Sequence, residues 1–235
     1  MVLNFLYIIL GYLLGSLPFG YIITKLSTKK NILEIGWRKT SGSNVFKNIG
    51  IWQGALTGIL DAGKGFLAVG LAQNQGLPIQ IQALAGAAAV TGHNWSCFLK
   101  FAGGRGIGTF VGAFLVLSPK ILGFSIIPLI LLALIWNASI GTIFFLITAI
   151  VLSVYFNQFE TAGLLTLASL APIFIKRLSP IEEILPARAF GSGRWQAGKK
   201  AQDRTVLIRN RLIFDDDKPR LDLRIKRVIG RLTKK

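Results

Sequence analysis

The stretch from Ile121 to Gln158 reads ILGFSIIPLILLALIWNASIGTIFFLITAIVLSVYFNQ and contains no Asp, Glu, Lys or Arg. A hydrocarbon core of roughly 30 Å takes about 20 apolar residues per helix, so this stretch is long enough to cross a membrane twice. It predicts spans at 121–138 and 140–157. Working outward, similar apolar runs fall at 3–24, 51–73, 78–99, 107–119 and 161–175. The composition agrees: 52% of residues are hydrophobic and 16% charged, where a soluble domain carries about a quarter charged residues. Twenty-six glycines suit helices that approach closely in lipid. The expected fold is an all-α polytopic membrane protein with about seven transmembrane helices. The opening run, Val2 to Leu17, lacks the basic start and Ala-x-Ala site of a cleaved signal peptide and reads as a permanent helix. Cys97 has no partner for an internal disulfide and reads as a small packing residue.

The formal charge of +17 is concentrated in two places. Residues 176–235 hold 17 of the 27 Lys and Arg, and residues 25–47 hold six more. The connections 25–50 and 100–106 carry basic residues, whereas 74–80 carries none. With seven spans, the positive-inside rule gives one orientation: N-terminus outside, C-terminus in the cytoplasm. Membrane orientation and headgroup contact account for this charge without nucleic acid. The chain divides into a transmembrane part, 1–178, and a basic tail, 179–235. In the tail, Leu221 to Leu232 alternates apolar and basic residues, as a helix lying on anionic lipid headgroups would. Phe190 to Gly198 reads as a joint.

Three polar motifs interrupt the apolar background. The first is Ser41-Gly42-Ser43-Asn44-Val45-Phe46-Lys47-Asn48-Ile49-Gly50. It offers donors to phosphate and hydroxyl oxygens. It also reads as a linker into a helix over 45–50 capped by Ser43 or Asn44. The second is Asp61-Ala62-Gly63-Lys64-Gly65, inside a span. Asp61 and Lys64 stand at i and i+3 and can pair on one helical face. The pair either merely tolerates burial, or Lys64 reaches a phosphate while Asp61 orients it. The third runs from Gly92-His93 to Gly103-Gly104-Arg105-Gly106 and holds the only His. No Cys or carboxylate cluster completes a metal site with His93, and the glycine turn lacks the spacing of a Walker loop. No metal or cofactor is expected. A lone His is more often structural than catalytic, but this one precedes a turn whose amides and Arg105 can cradle an anion.

Taken in order, these motifs resemble the bacterial acyl-phosphate:glycerol-3-phosphate acyltransferases of the PlsY type. Gly15-Ser16-Leu17-Pro18-Phe19-Gly20 is similar to that family's Gly-Ser-Ile-Pro-Phe/Ser-Gly segment. Ser43-Asn44-Val45-Phe46-Lys47 resembles its Thr-Asn-Val-Leu-Arg, and Asp61 to Gly65 matches its Asp-x-x-Lys-Gly. The stretch from Gly92 to Thr109 resembles its long Gly-His motif. There are departures. The catalytically important Ser of the family's first motif falls on Trp37, the Lys of its glycine turn is Arg105, and the Arg of its first motif is Lys47. The third family motif, His-Arg-x-Asn-Ile-x-Arg-Leu, is not recognisable; Asp203-Arg204 and Arg209 offer a loose echo.

The resemblance implies direct acyl transfer in a bacterial inner membrane. The sn-1 hydroxyl of glycerol-3-phosphate would attack a fatty acyl phosphate, giving lysophosphatidic acid and inorganic phosphate. His93, Arg105 and Ser43 are the expected catalytic residues. Asn44, Lys47, Asp61, Lys64, Gly103, Gly104 and Gly106 are expected to bind substrate. Two other readings stay open: a transporter or flippase of a small anionic lipid precursor, and an acyltransferase with another alcohol acceptor.

Overall fold

The computed structural model describes residues 1–136 and 138–178. Among them every regular element is helical. Helix α1 (Val2–Ser16) stops at Leu17-Pro18, and α2 (Phe19–Thr28) starts directly after it. Proline has no N–H to continue the ladder and disfavours helical geometry in the residue before it. A 3-10 turn at Ile32–Glu34 leads to the short α3 (Gly42–Asn48), and α4 (Ile51–Asn74) follows. Next come α5 (Ile79–Asn94), a 3-10 turn at Cys97–Leu99 and α6 (Ile107–Leu117). The chain then forms α7 (Pro119–Ile135), α8 (Ala138–Tyr155), a π turn at Phe159–Gly163 and α9 (Leu164–Leu178).

A helix lies on each of the seven expected spans. Four segments are long and apolar enough to cross a bilayer alone: Val2–Thr28, Ile51–Asn74, Ala138–Tyr155 and Phe159–Arg177. The shortest of the seven, α6, has 11 residues and rises only about 16 Å. Its start lies deep between neighbours rather than at the bundle end. One local expectation is corrected. The helix expected over 45–50 runs instead over Gly42–Asn48, and its N-cap is Ser41, with no side-chain capping bond. Neither Ser43 nor Asn44 caps it. The expected joint at 190–198 and the amphipathic tail helix lie outside the described residues.

Small residues let the backbones meet. A Cβ on Gly11 would lie 2.4 Å from the Ala85 carbonyl oxygen, and one on Gly15 would lie 2.0 Å from that of Ala89. Thus α1 and α5 run parallel in close contact. A Cβ on Gly108 would lie 3.8 Å from the Gly58 oxygen, and one on Gly112 would lie 1.8 Å from the Ala62 oxygen, so α4 and α6 also run parallel. Helix α4 is antiparallel to α5, with Asp61 opposite His93 and Val69 beside Gly86. Helix α9 is parallel to α5, since Leu165 meets Gly86 and Asn94 donates to the Pro172 carbonyl at 2.8 Å.

The consequence is a bundle with two distinct ends. The connections 29–50 and 95–106 and the C-terminal turn of α9 share one end. The start of α1 shares the other with Leu77, Ser118 and Gln158. There Gln80 donates to Glu160 at 2.8 Å and Ser118 to Gln158 at 2.5 Å. The core is aromatic: Phe110, Phe114 and Phe145 are fully buried, with centroids 5.3, 5.5 and 6.4 Å apart. Large apolar side chains on the outer faces of α1, α4, α7 and α8 are exposed, as lipid-facing positions require.

Gly112→Ala should lower the stability of the detergent-purified protein by roughly 1–3 kcal/mol, because the added carbon meets backbone. Gly70→Ala, whose new carbon meets nothing within 4 Å, should not lower it. Thermal unfolding of the two variants side by side checks the contrast.

Candidate active site

Asp61 stands ten residues into α4, about 15 Å along it. One carboxylate oxygen, Oδ1, lies 2.9 Å from Lys64 Nζ and 3.4 Å from His93 Nδ1. All three side chains are buried. Lys64 also donates to the Leu17 carbonyl at 3.0 Å. That carbonyl sits at the break between α1 and α2, where the chain change leaves it available. Lys64 therefore bridges the Asp61 carboxylate and the helix break, and it is not part of the cavity wall described below.

The glycine turn is built against His93. Gly104 N–H donates to the His93 carbonyl at 3.0 Å, and Thr40 N–H donates to the Gly103 carbonyl at 3.3 Å. A Cβ on Gly104 would lie 2.0 Å from His93 Nε2, so a side chain there would displace the imidazole. Gly106 takes φ +80, the left-handed region open to glycine, and hands the chain into α6. The first amides of α6 have no earlier turn to bond and form a partial positive charge. Gly108, in this first turn, lies beside Asp61.

The first motif approaches from above the turn. Arg105 donates to Ser43 Oγ at 2.8 Å, and Ser43 and Ser41 hydroxyls lie 3.3 Å apart. The Arg105 guanidinium also lies 5.0 Å from the Trp37 ring centroid, and Lys47 Nζ lies 4.8 Å from it. Asn44 is fully buried. Its amide donates to the Ile35 and Lys39 carbonyls at 3.1 and 2.8 Å, while its Oδ1 accepts from Trp37 N–H at 3.0 Å and from Asn48 at 2.8 Å. Asn44 thus staples the 35–40 loop to α3.

A cavity of about 450 Å³ opens between these elements. Ser43, Asp61, His93, Arg105 and Gly106 line it, so five of the ten expected site residues share one wall. Asn44, Lys64, Gly103 and Gly104 are buried outside that lining, and Lys47 is exposed. Phe46, Ile107 and Leu129 add apolar lining. Sequence reading missed one cation altogether: Arg177 lines the cavity from the end of α9 and donates to Thr142 Oγ1 at 2.6 Å. The signal was present, because Ile175-Lys176-Arg177-Leu178 repeats the Ile-x-Arg-Leu of the motif sought further along. Arg204 and Arg209 lie outside the described residues.

The chain was compared with known proteins. A family model described as glycerol-3-phosphate acyltransferase matches residues 5–186. A glycerol-3-phosphate acyltransferase of Prochlorococcus marinus strain MIT 9312 is 42% identical over 122 residues, which cover 51% of this chain and 60% of the relative. Glycerol-3-phosphate acyltransferase 1 of Dehalococcoides mccartyi strain ATCC BAA-2266 is 34% identical over 180 residues, covering 72% of this chain and 85% of that one. Among solved structures, the glycerol 3-phosphate form of PlsY, an integral membrane glycerol 3-phosphate acyltransferase, superposes with TM-score 0.66 at 26% identity, covering 82% of this chain and 95% of that one. Its lysophosphatidic acid form has TM-score 0.65 at 23% identity and shares the fold.

The buried ion pair generates a stability prediction. Asp61→Ala strands the Lys64 ammonium and should cost about 3–5 kcal/mol, whereas Asp61→Asn with Lys64→Met should recover most of that loss. Equal unfolding midpoints for Asp61→Ala and the double variant would disprove the pairing argument.

Proposed function

The chain belongs to the glycerol-3-phosphate acyltransferase family, and on that premise we propose that it transfers a fatty acyl group from acyl phosphate to the sn-1 hydroxyl of glycerol-3-phosphate. The observation that carries this reading is the mixed cationic and apolar lining of one cavity. Arg105, Arg177, the α6 N-terminus and a histidine facing Asp61 line it together with Phe46, Ile107 and Leu129. A phosphate and an acyl chain need those two environments side by side.

The donor is a mixed anhydride, already activated, so no covalent intermediate on the protein is needed. The sn-1 oxygen attacks the acyl carbon, the bond from that carbon to the phosphate oxygen breaks, and phosphate leaves. The hydroxyl proton passes to His93. Asp61 faces Nδ1 and orients the ring, the logic by which a carboxylate steers a base. Arg105, Arg177 and the first amides of α6 stabilise charge on the phosphate groups and on the developing oxyanion. Ser43, held by Arg105, offers a hydroxyl to the acceptor. Lys64 and Asn44 act one layer back, by fixing Asp61 and the 35–40 loop.

We further read the site end as cytoplasmic, with the N-terminus outside, the C-terminus in the cytoplasm, seven crossings and a bacterial inner membrane as the home. Two features support this orientation. The basic connections 25–50 and 100–106 meet at one bundle end through Thr40 and Gly103, and positive loops mark the cytoplasmic side. A Cys placed between Gln73 and Gln80 should react with an impermeant maleimide added outside intact cells, and one at Lys30 should not. The opposite pattern would reverse the orientation.

Purified protein given acyl phosphate and glycerol-3-phosphate should yield 1-acyl-glycerol-3-phosphate and inorganic phosphate by mass spectrometry. Arg105→Ala should lower the rate by about a hundredfold or more, and Arg105→Lys should keep much of it. Acylation of a different alcohol, or full activity in the Ala variant, would overturn the assignment of acceptor or site.

A further inference from the structure

Among the positions at which this chain leaves the residues expected of the first motif and the glycine turn are Trp37, Lys47 and Arg105. In the fold they are one unit: Lys47 Nζ and the Arg105 guanidinium lie 4.8 and 5.0 Å from the Trp37 ring. We propose that Trp37 is a positioning residue that holds Arg105 toward the cavity for the phosphate of the acceptor, a role that rests on the acyl-transfer reading above.

The loop is shaped to present this ring. Gly36 and Arg38, on either side of Trp37, both adopt left-handed backbone, with φ 58 and 53. The Trp37 N–H is tied to the buried Asn44 side chain at 3.0 Å. The ring therefore projects from a tight, stapled turn. Arg105 is reached from a second direction by its hydrogen bond to Ser43. Two restraints from one loop and helix thus fix the position of the guanidinium.

The chemistry explains why an aromatic ring suits the task. A carboxylate would orient Arg105 as well, but its negative charge would oppose the incoming phosphate. A ring face attracts a guanidinium through its quadrupole and adds no net charge. The planar guanidinium also stacks on an aromatic face in a way an ammonium does not. An Arg in the glycine turn and a Trp in the facing loop therefore belong together. Lys47, drawn to the same ring, adds positive potential at the mouth without entering the wall.

The test uses the full-length purified protein with Trp37→Leu and Trp37→Phe, each alone and with Arg105→Ala, and with Lys47→Ala as a parallel background. Two readouts are taken: KM and kcat for glycerol-3-phosphate in acyl transfer, and calorimetric binding of glycerol-3-phosphate. Trp37→Leu should raise KM about tenfold with kcat within about threefold, and Trp37→Phe, which keeps a ring face, should recover most of the loss. In the Arg105→Ala background, Trp37→Leu should not weaken binding further. Equal KM for Trp37→Leu and the unaltered protein overturns the proposal. So do equal damage from Leu and Phe, and a Leu effect that persists without Arg105. If Trp37→Leu aggregates on size exclusion, Trp37→Met is judged by the same criteria. Unaltered protein that binds glycerol-3-phosphate without transferring to it refutes the acyl-transfer reading, while the binding series still decides the role of Trp37. Absence of binding refutes both.

Discussion

One carboxylate oxygen organises this molecule. Asp61 stands inside an apolar helix, where an uncompensated charge is costly. Its Oδ1 meets Lys64 within the same helix and His93 from α5. Lys64 in turn reaches the Leu17 carbonyl. A single requirement for local neutrality therefore links α4, α5 and the break between α1 and α2. The imidazole oriented by this arrangement is the one against which the glycine turn is packed, so the start of α6 inherits its place from the same oxygen.

Such a network needs backbones closer together than ordinary side chains allow. Gly11 and Gly15 put α1 on α5, and Gly65 and Gly112 put α4 on α6. These contacts place Gly108 beside Asp61 and bring the α6 amides to the cavity. Without a hydrophobic drive between helices in lipid, this close fit is what holds the bundle together. The polar site and the glycine pattern are consequently two aspects of one packing solution.

The helices were legible because lipid demands long apolar runs, and three of the breaks coincide with Pro18, Pro78 and Pro119, although Pro128 and Pro172 lie inside α7 and α9. His93, Arg105, Ser43, Asp61 and Gly106 were legible as wall residues because charge and glycine stand out against that background. Three things were not. Asn44 is a polar residue in a polar motif, and nothing local shows that its side chain is consumed by the 35–40 loop. Lys64 points to the helix break rather than the cavity, a direction set by a carbonyl 47 positions away in sequence. Arg177 carries a motif echo in Ile175 to Leu178, but its place at the site is set by the parallel packing of α9 on α5. Each of these depends on contacts far apart along the chain.

The shortness of α6 has an electrical consequence. The cavity floor and the opposite bundle end are separated by the 11 residues of α6, roughly half the thickness of a hydrocarbon core. A voltage across the membrane falls mainly over low-dielectric material, so above this helix it falls over about half the usual distance and the local field is about doubled. An anion in the open cavity would stand at the edge of that steepened drop, having crossed little of it.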